Sequence, residues 1–206
     1  MGRADWTVFH WVNGLAGEHT WLDKVGKAAA EQLAIVIVAT LVGGWLLTAG
    51  AHLWRDRELP RGLVTGVIVV GVSLGLALLA NRIVGDLWFR DRPYVTHSKA
   101  HLLVASSPDP SFASDHATAG FALSLGAAGS LPRVAALLFI ETVLMSLGRV
   151  FVGLHYPGDM LGGLALGGTA ALVATLAVRM AGGVMDRVVG VVNGYAARAH
   201  WPVRLS

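Results

Sequence analysis

The sequence of 206 residues contains no cysteine, and only 14% of its residues are charged. The absence of cysteine excludes disulfide bonds, a thiol nucleophile and cysteine-ligated metal sites. Soluble proteins carry about 25% charged residues, so this chain has little charge with which to cover a water-exposed surface. The net charge of +3 is small and the arginines are scattered, which argues against a nucleic-acid partner.

The sequence contains long apolar segments with few charged residues. Hydrophobic residues make up 54% of the chain and the mean hydropathy is +0.60, which excludes intrinsic disorder. A bilayer-spanning helix needs about 20 mostly apolar residues. Five segments predict such helices, the third and fourth of them extended by flanking residues: 32–54, 62–81, 116–132, 134–148 and 160–178. The expected fold is all-α, a polytopic membrane bundle of about five to six transmembrane helices.

One domain over residues 1–206 is expected, with three parts. The mixture of Trp6, Phe9 and Trp11 with polar residues predicts an interfacial amphipathic helix over 1–20. An additional spanning helix is the alternative there. Residues 21–182 form the predicted helical core, and residues 183–206 form a C-terminal tail.

The arginines predict the orientation in the membrane, because cytoplasmic loops are enriched in Lys and Arg. Such residues recur on one side of the predicted bundle, at Arg55, Arg57, Arg61, Arg133, Arg179, Arg187, Arg198 and Arg204. The other side holds segment 86–114 and the loop around His155. It also carries some lysines and arginines, so the rule is followed with exceptions. We expect this second side to face outward.

Three polar blocks lie at predicted helix ends on the outward side, at residues 90–93, 111–116 and 149–159. Ionisable groups at membrane depth are costly and usually functional, so the blocks predict one shared pocket. Ser114 is a suitable N-cap for the third predicted helix, whose free N–H groups form an anion site. Arg92 and Arg149 supply guanidinium groups that match phosphate oxygens. The blocks therefore predict a site for phosphate or a similar oxyanion.

The histidines predict nucleophilic chemistry at that anion. His155 and Asp159 are four residues apart, and a helix that starts at Pro157 would let the carboxylate reach the imidazole. A carboxylate on one ring nitrogen leaves the other free as a nucleophile. His116 could donate a proton to the leaving oxygen. These residues favour a two-step phosphoryl transfer through a phosphohistidine, which requires no metal and no other cofactor.

The order and spacing of the blocks are specific: Arg92 with Pro93, then residues 111–116, then Arg149, with His155 after five intervening residues and Asp159 after three more. These blocks resemble the signature motifs of the type 2 phosphatidic acid phosphatase superfamily, membrane lipid phosphatases that share a fold with vanadium haloperoxidases. Segments 81–94 (NRIVGDLWFRDRPY), 114–116 (SDH) and 152–159 (VGLHYPGD) are most similar to its bacitracin-resistance branch, the undecaprenyl-diphosphatases.

The resemblance implies hydrolysis of undecaprenyl diphosphate to the monophosphate in the bacterial inner membrane, with the site facing the periplasm or cell exterior. It implies a polyprenyl diphosphate and membrane lipids as partners. It also implies roles for individual residues: His155 as nucleophile, Asp159 as its partner, His116 as acid, and Arg92, Ser114, Arg149 and the backbone N–H of Asp115 as phosphate ligands. Two positions depart from the family pattern. Gly85 stands where the broad family has Lys, for which Arg82 or Arg90 could compensate, and Ala113 stands where Pro is usual.

Several alternatives stay open from the sequence. The same chemistry would suit phosphatidylglycerophosphate or phosphatidate, and the same pocket would suit a non-enzymatic lipid-phosphate binder or transporter. A metallophosphatase is disfavoured because the outward side lacks a cluster of carboxylates. Four further residues have either a structural or a site role: His97, His101, Glu31 and Glu141. The paired glycines at 162–163 and 167–168 predict close helix packing.

Overall fold

A computed structural model describes residues 3–56 and 58–199. Within these ranges the chain forms helices joined by turns and loops: α1 (Arg3–Asn13), α2 (Thr20–Glu31), α3 (Leu33–Arg55), α4 (Arg61–Leu87), α5 (Pro93–Thr96), α6 (Asp115–Ala127), α7 (Pro132–Phe151), α8 (Pro157–Met180) and α9 (Gly182–Ala199). The all-α prediction is confirmed. The ends of α4 and α7 lie on the same side of the bundle as the starts of α6 and α8. All three polar blocks therefore lie at one end of the bundle, called the site end below.

Among the described residues, four helices, α3, α4, α7 and α8, are long and apolar enough to cross a membrane. The remaining predicted spanning helix is α6, and the predicted extension of this helix by its flanks is wrong. It has 13 residues and a length of about 20 Å, against about 30 Å for the hydrocarbon core of a bilayer. The reason is its position: α6 packs against α4, α7 and α8, and most of its residues are buried. Its sides therefore contact protein, and its length need not match the bilayer.

Close contact between α6 and α8 depends on glycine. A Cβ atom on Gly163 would lie 2.7 Å from the Cβ of Ala117, and one on Gly167 would lie 2.6 Å from the carbonyl oxygen of Thr118. Neither distance leaves room for a side chain. The predicted packing role of these glycines is confirmed, and it brings the start of α8 next to the start of α6.

The N-terminal region is not one helix over residues 1–20, because α1 ends at Asn13 and α2 begins at Thr20. Helix α1 packs on α7 and α8 and buries Phe9 completely. The buried Asn13 side chain donates 2.8 Å hydrogen bonds to the carbonyl oxygens of Phe151 and His101. Helix α1 is thus attached to the site end, while its interfacial position in the membrane stays a prediction.

The C-terminal region contains α9, whose Asn193 side chain bonds both the N–H and the carbonyl of Leu59. The middle of α9 is therefore tied to the loop before α4, at the end of the bundle opposite the site. Arg57 and Arg204, both used to predict the orientation, lie outside the described residues.

Candidate active site

The structure brings residues from all three polar blocks around the imidazole of His155. His155 lies in the turn between α7 and α8, and its Nε2 atom is 3.2 Å from Nη1 of Arg92 and 3.3 Å from Nη2 of Arg149. Arg92 precedes α5 and Arg149 lies in the last turn of α7. All three side chains are buried. The first and third blocks, which are far apart in sequence, therefore meet at a single nitrogen atom.

The hydrogen bonds of His155 define its tautomer. Its Nδ1 atom lies 2.9 Å from the carbonyl oxygen of Ser111, and a carbonyl can only accept, so Nδ1 carries the proton. Nε2 is then unprotonated, and its lone pair accepts hydrogen bonds from Nη1 of Arg92 and Nη2 of Arg149. Burial lowers the pKa of His155 to about 4, and the charges of Arg149 and Arg92 act in the same direction, against the opposing effect of Asp159. The imidazole is therefore neutral near pH 7 and has the form a nucleophile needs.

Asp159 lies in the first turn of α8, which begins at Pro157 as predicted. Its Oδ2 atom is 3.5 Å from Nδ1 of His155, longer than a usual hydrogen bond. The fully buried carboxylate accepts shorter bonds from Ser111 Oγ at 2.5 Å, from the backbone N–H of Tyr156 at 2.8 Å and from Nη1 of Arg90 at 2.6 Å. Ser111 therefore links the two residues, since its hydroxyl bonds Asp159 and its carbonyl accepts from His155.

The two arginines beside His155 have spare capacity for an anion. Arg92 donates to the carbonyl oxygens of Asp109 and Leu154, at 2.9 and 3.2 Å, and to the hydroxyl of Ser107 at 3.3 Å, and burial lowers its pKa. Arg149 donates to the carbonyl of Ala30 at 3.4 Å, and its buried Nε has no partner. Neither guanidinium forms a salt bridge with a carboxylate in the described part of the chain. Two buried cations without an anion form a site that would bind one strongly.

The second block contributes the start of α6. Ser114 is its N-cap, as predicted, and its Oγ accepts from the N–H of Ala117 at 3.5 Å. The first amides of a helix have no acceptor within the helix and favour an anion. Asn81 of α4 fixes this turn, because its side-chain amide donates to the carboxylate of Asp115 and to the carbonyl of Ala113. The half-buried His116 has Arg149 and His155 among its electrostatic neighbours.

Neither arginine suggested as a substitute for the lysine missing at Gly85 is free to act as one. Arg82 pairs with Asp86 at 3.2 Å on an exposed surface. Arg90 is held between Asp5 and Asp159. Among the residues that the structure describes, the guanidinium groups without a carboxylate partner at the candidate site are therefore those of Arg92 and Arg149, which flank His155.

Three of the four residues of undecided role, His97, His101 and Glu141, have structural contacts. His97 stacks on Trp6 with ring centroids 3.6 Å apart, and Nδ1 of His101 lies 2.6 Å from the carbonyl of Ala16, so both support the N-terminal region. Glu141 accepts a 2.9 Å bond from Thr40. Glu31 is an electrostatic neighbour of Arg149. Within residues 3–56 and 58–199, no three His, Asp or Glu side chains gather closely enough to hold a metal ion.

Two contributors were not predicted. The carbonyl of Ser111 is a backbone group, so its contact with His155 leaves no trace in the side-chain pattern. Asp5 contacts Arg90 across 85 positions of sequence, and no local spacing connects the two residues. The acidic residue in the first turn of α1 was the available signal, but nothing indicated its partner.

Comparison with known proteins agrees with this geometry. Residues 66–182 match the PAP2 superfamily, and the chain belongs to that superfamily. The undecaprenyl-diphosphatase BcrC of Bacillus subtilis is 28% identical over 162 residues, which cover 79% of this chain and 78% of that protein. The decaprenylphosphoryl-5-phosphoribose phosphatase of Mycobacterium tuberculosis is 34% identical over 134 residues, 63% of this chain and 69% of that protein. The protein is a multi-pass membrane lipid phosphatase.

The crystal structure of Aquifex aeolicus LpxE supports the fold. It has a TM-score of 0.59 with this chain, at 17% identity, over 84% of this chain and 96% of that one. At this identity the likeness concerns the arrangement of the helices alone. It includes residues before position 66, where the match to the superfamily begins, since an 84% share exceeds the whole part of the chain from position 66 to residue 206.

Proposed function

We propose that this protein hydrolyses undecaprenyl diphosphate, or a closely similar polyprenyl diphosphate, to the monophosphate and inorganic phosphate through a phosphohistidine at His155. The observation that carries the proposal is the unprotonated Nε2 of a neutral imidazole, which accepts hydrogen bonds of 3.2 and 3.3 Å from two guanidinium groups that lack a carboxylate. A phosphoryl group that draws these guanidinium groups to its own oxygens releases the lone pair for attack. A nucleophile and the groups that bind its target's oxygens are thus in one place.

In the first step, Nε2 of His155 attacks the terminal phosphorus and the bond from phosphorus to the bridging oxygen breaks. The lipid monophosphate leaves with a proton from His116, which becomes protonated when the negatively charged diphosphate binds beside it. Arg92 and Arg149, with Ser114 and the backbone N–H of Asp115, bind the non-bridging oxygens, on which the transition-state charge develops. The proton on Nδ1 stays on that nitrogen and remains hydrogen-bonded to the carbonyl oxygen of Ser111, so the imidazole does not rotate.

In the second step, a water molecule gives a proton to His116 and attacks the phosphorus of the phosphohistidine. The bond between phosphorus and Nε2 breaks, phosphate leaves, and His155 returns to its neutral form. His116 ends the cycle protonated, ready to act again as acid. All proton transfers are accounted for by the chain and water, so no metal enters the scheme.

The lipid substrate is inferred from the relatives. BcrC is named for undecaprenyl diphosphate, and the mycobacterial relative is named for a decaprenyl phosphate compound. Both names specify a polyprenyl chain, which favours that class over the diacyl lipids phosphatidylglycerophosphate and phosphatidate. A panel of these lipids, assayed for phosphate release by the purified protein in excess chelator, separates the substrates. A requirement for a divalent metal would refute the mechanism.

We also place the protein in the bacterial plasma membrane with the site end at the periplasmic or outer surface. The support is the charge distribution, because Arg61, Arg133 and Arg179 lie at or near the α4 start, the α7 start and the α8 end, opposite the site. Labelling of single cysteines introduced at Arg133 and at Asp115 with a membrane-impermeant thiol reagent in intact cells tests this. Only the cysteine at position 115 should react.

Replacement of His155 tests the chemistry. His155→Gln should abolish both phosphate release and acid-labile labelling of the protein by a substrate labelled at its terminal phosphate. His116→Gln should slow release of the lipid monophosphate and should slow hydrolysis of the phosphoenzyme. The exposed His52, which pairs with Asp56 at the opposite end, provides the control His52→Gln with wild-type activity. Phosphate release that survives His155→Gln would refute histidine catalysis, and a wild-type protein that binds the lipid without hydrolysing it would indicate a binder or transporter.

A further inference from the structure

Three charged residues form a continuous chain from α1 to the candidate nucleophile. Arg90 donates from Nη1 to Asp159 at 2.6 Å and from Nη2 to the carboxylate of Asp5. Its guanidinium also lies 4.0 Å above the centre of the Tyr156 ring. Asp5 accepts a second bond, at 2.8 Å, from the backbone N–H of Gly158 in the first turn of α8. The arrangement is therefore carboxylate, guanidinium, carboxylate, with the last carboxylate beside His155.

Arg90 is held too firmly to serve as a phosphate ligand. Its side chain is 20% exposed, against 0% for Asp159 and 18% for Asp5, and both terminal nitrogens are directed to carboxylates. Its contacts with the site pass through Asp159, which accepts the Ser111 hydroxyl at 2.5 Å. Ser111 in turn accepts the proton of His155 Nδ1 at 2.9 Å.

Charge explains why such a chain is needed. A carboxylate without any exposure to water is stable in its charged form only when cations and hydrogen-bond donors surround it. His155 is neutral in this structure and supplies no cation, so the positive charge bonded to Asp159 is that of Arg90. Without it, the donors from Ser111 and Tyr156 would face a carboxylate that has lost its counter-charge, and the Ser111 carbonyl that orients His155 would lose its anchor.

We propose that Arg90 and Asp5 are positioning residues for the nucleophile: together they hold Asp159 and Ser111 so that Nε2 of His155 faces the phosphoryl group. The proposal rests on the proposed function of His155. Asp5 lies outside residues 66–182, the segment that matches the superfamily, so α1 adds to the site something that the matched segment does not contain.

The test compares Arg90→Gln, Arg90→Lys, Asp5→Asn and the double variant Asp5→Asn with Arg90→Gln. The control is Arg82→Gln, which removes an exposed arginine from the same end of α4. Readouts are kcat and KM for phosphate release from undecaprenyl diphosphate in detergent, the rate of phosphoenzyme formation, the concentration of vanadate for half inhibition, and the thermal unfolding temperature.

In metal sites, removal of a residue that orients a ligating histidine typically lowers metal affinity or activity by about 10- to 100-fold. We expect a loss of that size in kcat and in the rate of phosphoenzyme formation for Arg90→Gln, with partial recovery in Arg90→Lys. KM and vanadate inhibition should change by no more than about twofold, because Arg92 and Arg149 remain. Asp5→Asn should cause a smaller loss in the wild-type background and none in the Arg90→Gln background, since Asp5 acts through Arg90.

Each other outcome refutes the proposal. Wild-type kcat in folded Arg90→Gln would show that Arg90 and Asp5 do not position the nucleophile. A loss of kcat matched by an equal loss of vanadate affinity would show a general structural role. If Arg90→Gln does not fold, Asp5→Asn decides, because Asn keeps the size of the side chain and an acceptor for Gly158. A wild-type protein without phosphatase activity would refute the proposed function instead, whatever the variants show.

Discussion

Arg149 should limit the stability of the protein while it supports catalysis, and its replacement by methionine separates the two effects. The side chain is 8% exposed. One nitrogen reaches a carbonyl at 3.4 Å, another faces Nε2 of His155, and the buried Nε has no partner. Arg92 brings a second guanidinium to the same Nε2 atom. Two buried positive charges thus share one neutral neighbour when no substrate is bound.

The size of the effect follows from this geometry. Nη1 of Arg92 and Nη2 of Arg149 lie 3.2 and 3.3 Å from the same Nε2 atom, so these two nitrogens are at most about 6.5 Å apart. Two like charges at about that separation repel by about 3 kcal/mol at an effective dielectric constant of about 20. Replacing buried ionic groups by apolar residues of similar volume is often stabilising by about 1–4 kcal/mol. We therefore expect Arg149→Met to raise the free energy of unfolding by about 1–3 kcal/mol. Loss of one donor to the transition-state oxyanion should lower kcat by about 10²- to 10³-fold.

Thermal unfolding in detergent, with and without vanadate, measures both sides of this prediction. Vanadate should stabilise the wild type, by about 2.7 kcal/mol at 100 times its dissociation constant, and should stabilise Arg149→Met much less. Arg133→Met, at the exposed start of the same helix, is the control and should leave stability, vanadate response and activity unchanged. The reasoning is refuted if Arg149→Met is no more stable than the wild type, or if vanadate stabilises the two equally.

Three further predictions concern other parts of the site and core. Because the pKa of His155 is about 4 in the folded protein, below its ordinary 6.5, the unfolded chain binds the extra proton, and the free energy of unfolding should fall as pH drops from 6.5 toward 4. Thermal unfolding across this range measures the effect, and His155→Gln should lose that part of the dependence. Gly167→Ala should destabilise the protein by about 1–3 kcal/mol through contact with Thr118, whereas Gly168→Ala, whose Cβ would lie 3.4 Å from Leu125, should be nearly neutral; equal unfolding temperatures would contradict the packing described. Ser111→Ala keeps the carbonyl that binds His155 but removes the donor to Asp159, so steady-state assays should show kcat reduced about tenfold with KM little changed.

The helices were predictable because their signal is local. A run of apolar residues long enough to cross a bilayer forms a helix wherever it lies, and four runs correspond to α3, α4, α7 and α8. The length of α6 was not predictable from hydropathy. Residues 116–132 contain no Lys, Arg, Asp or Glu, yet the helix ends at Ala127 and a turn follows. Hydropathy did not reveal this because an interior helix and a lipid-facing helix are both apolar.

The candidate site likewise contains some features that the local sequence predicts and others that it does not. The positions of Ser114 and Asp159 in their helices follow from capping and from Pro157, and these are short-range effects. The place of Ser111 depends on the direction of a backbone carbonyl, and the bond from Arg90 to Asp5 joins α1 to the segment after α4. Such contacts depend on the packed fold, and the residue types give no indication of them.

The enclosure of α6 has a mechanical consequence. Bilayers differ in thickness, and a spanning helix responds by tilting or by deforming the surrounding lipid. Helix α6 meets α4, α7 and α8 along its sides, so such stresses reach it only after these outer helices have absorbed them. The helix whose first turn lies at the candidate site is thereby insulated from changes in the surrounding membrane.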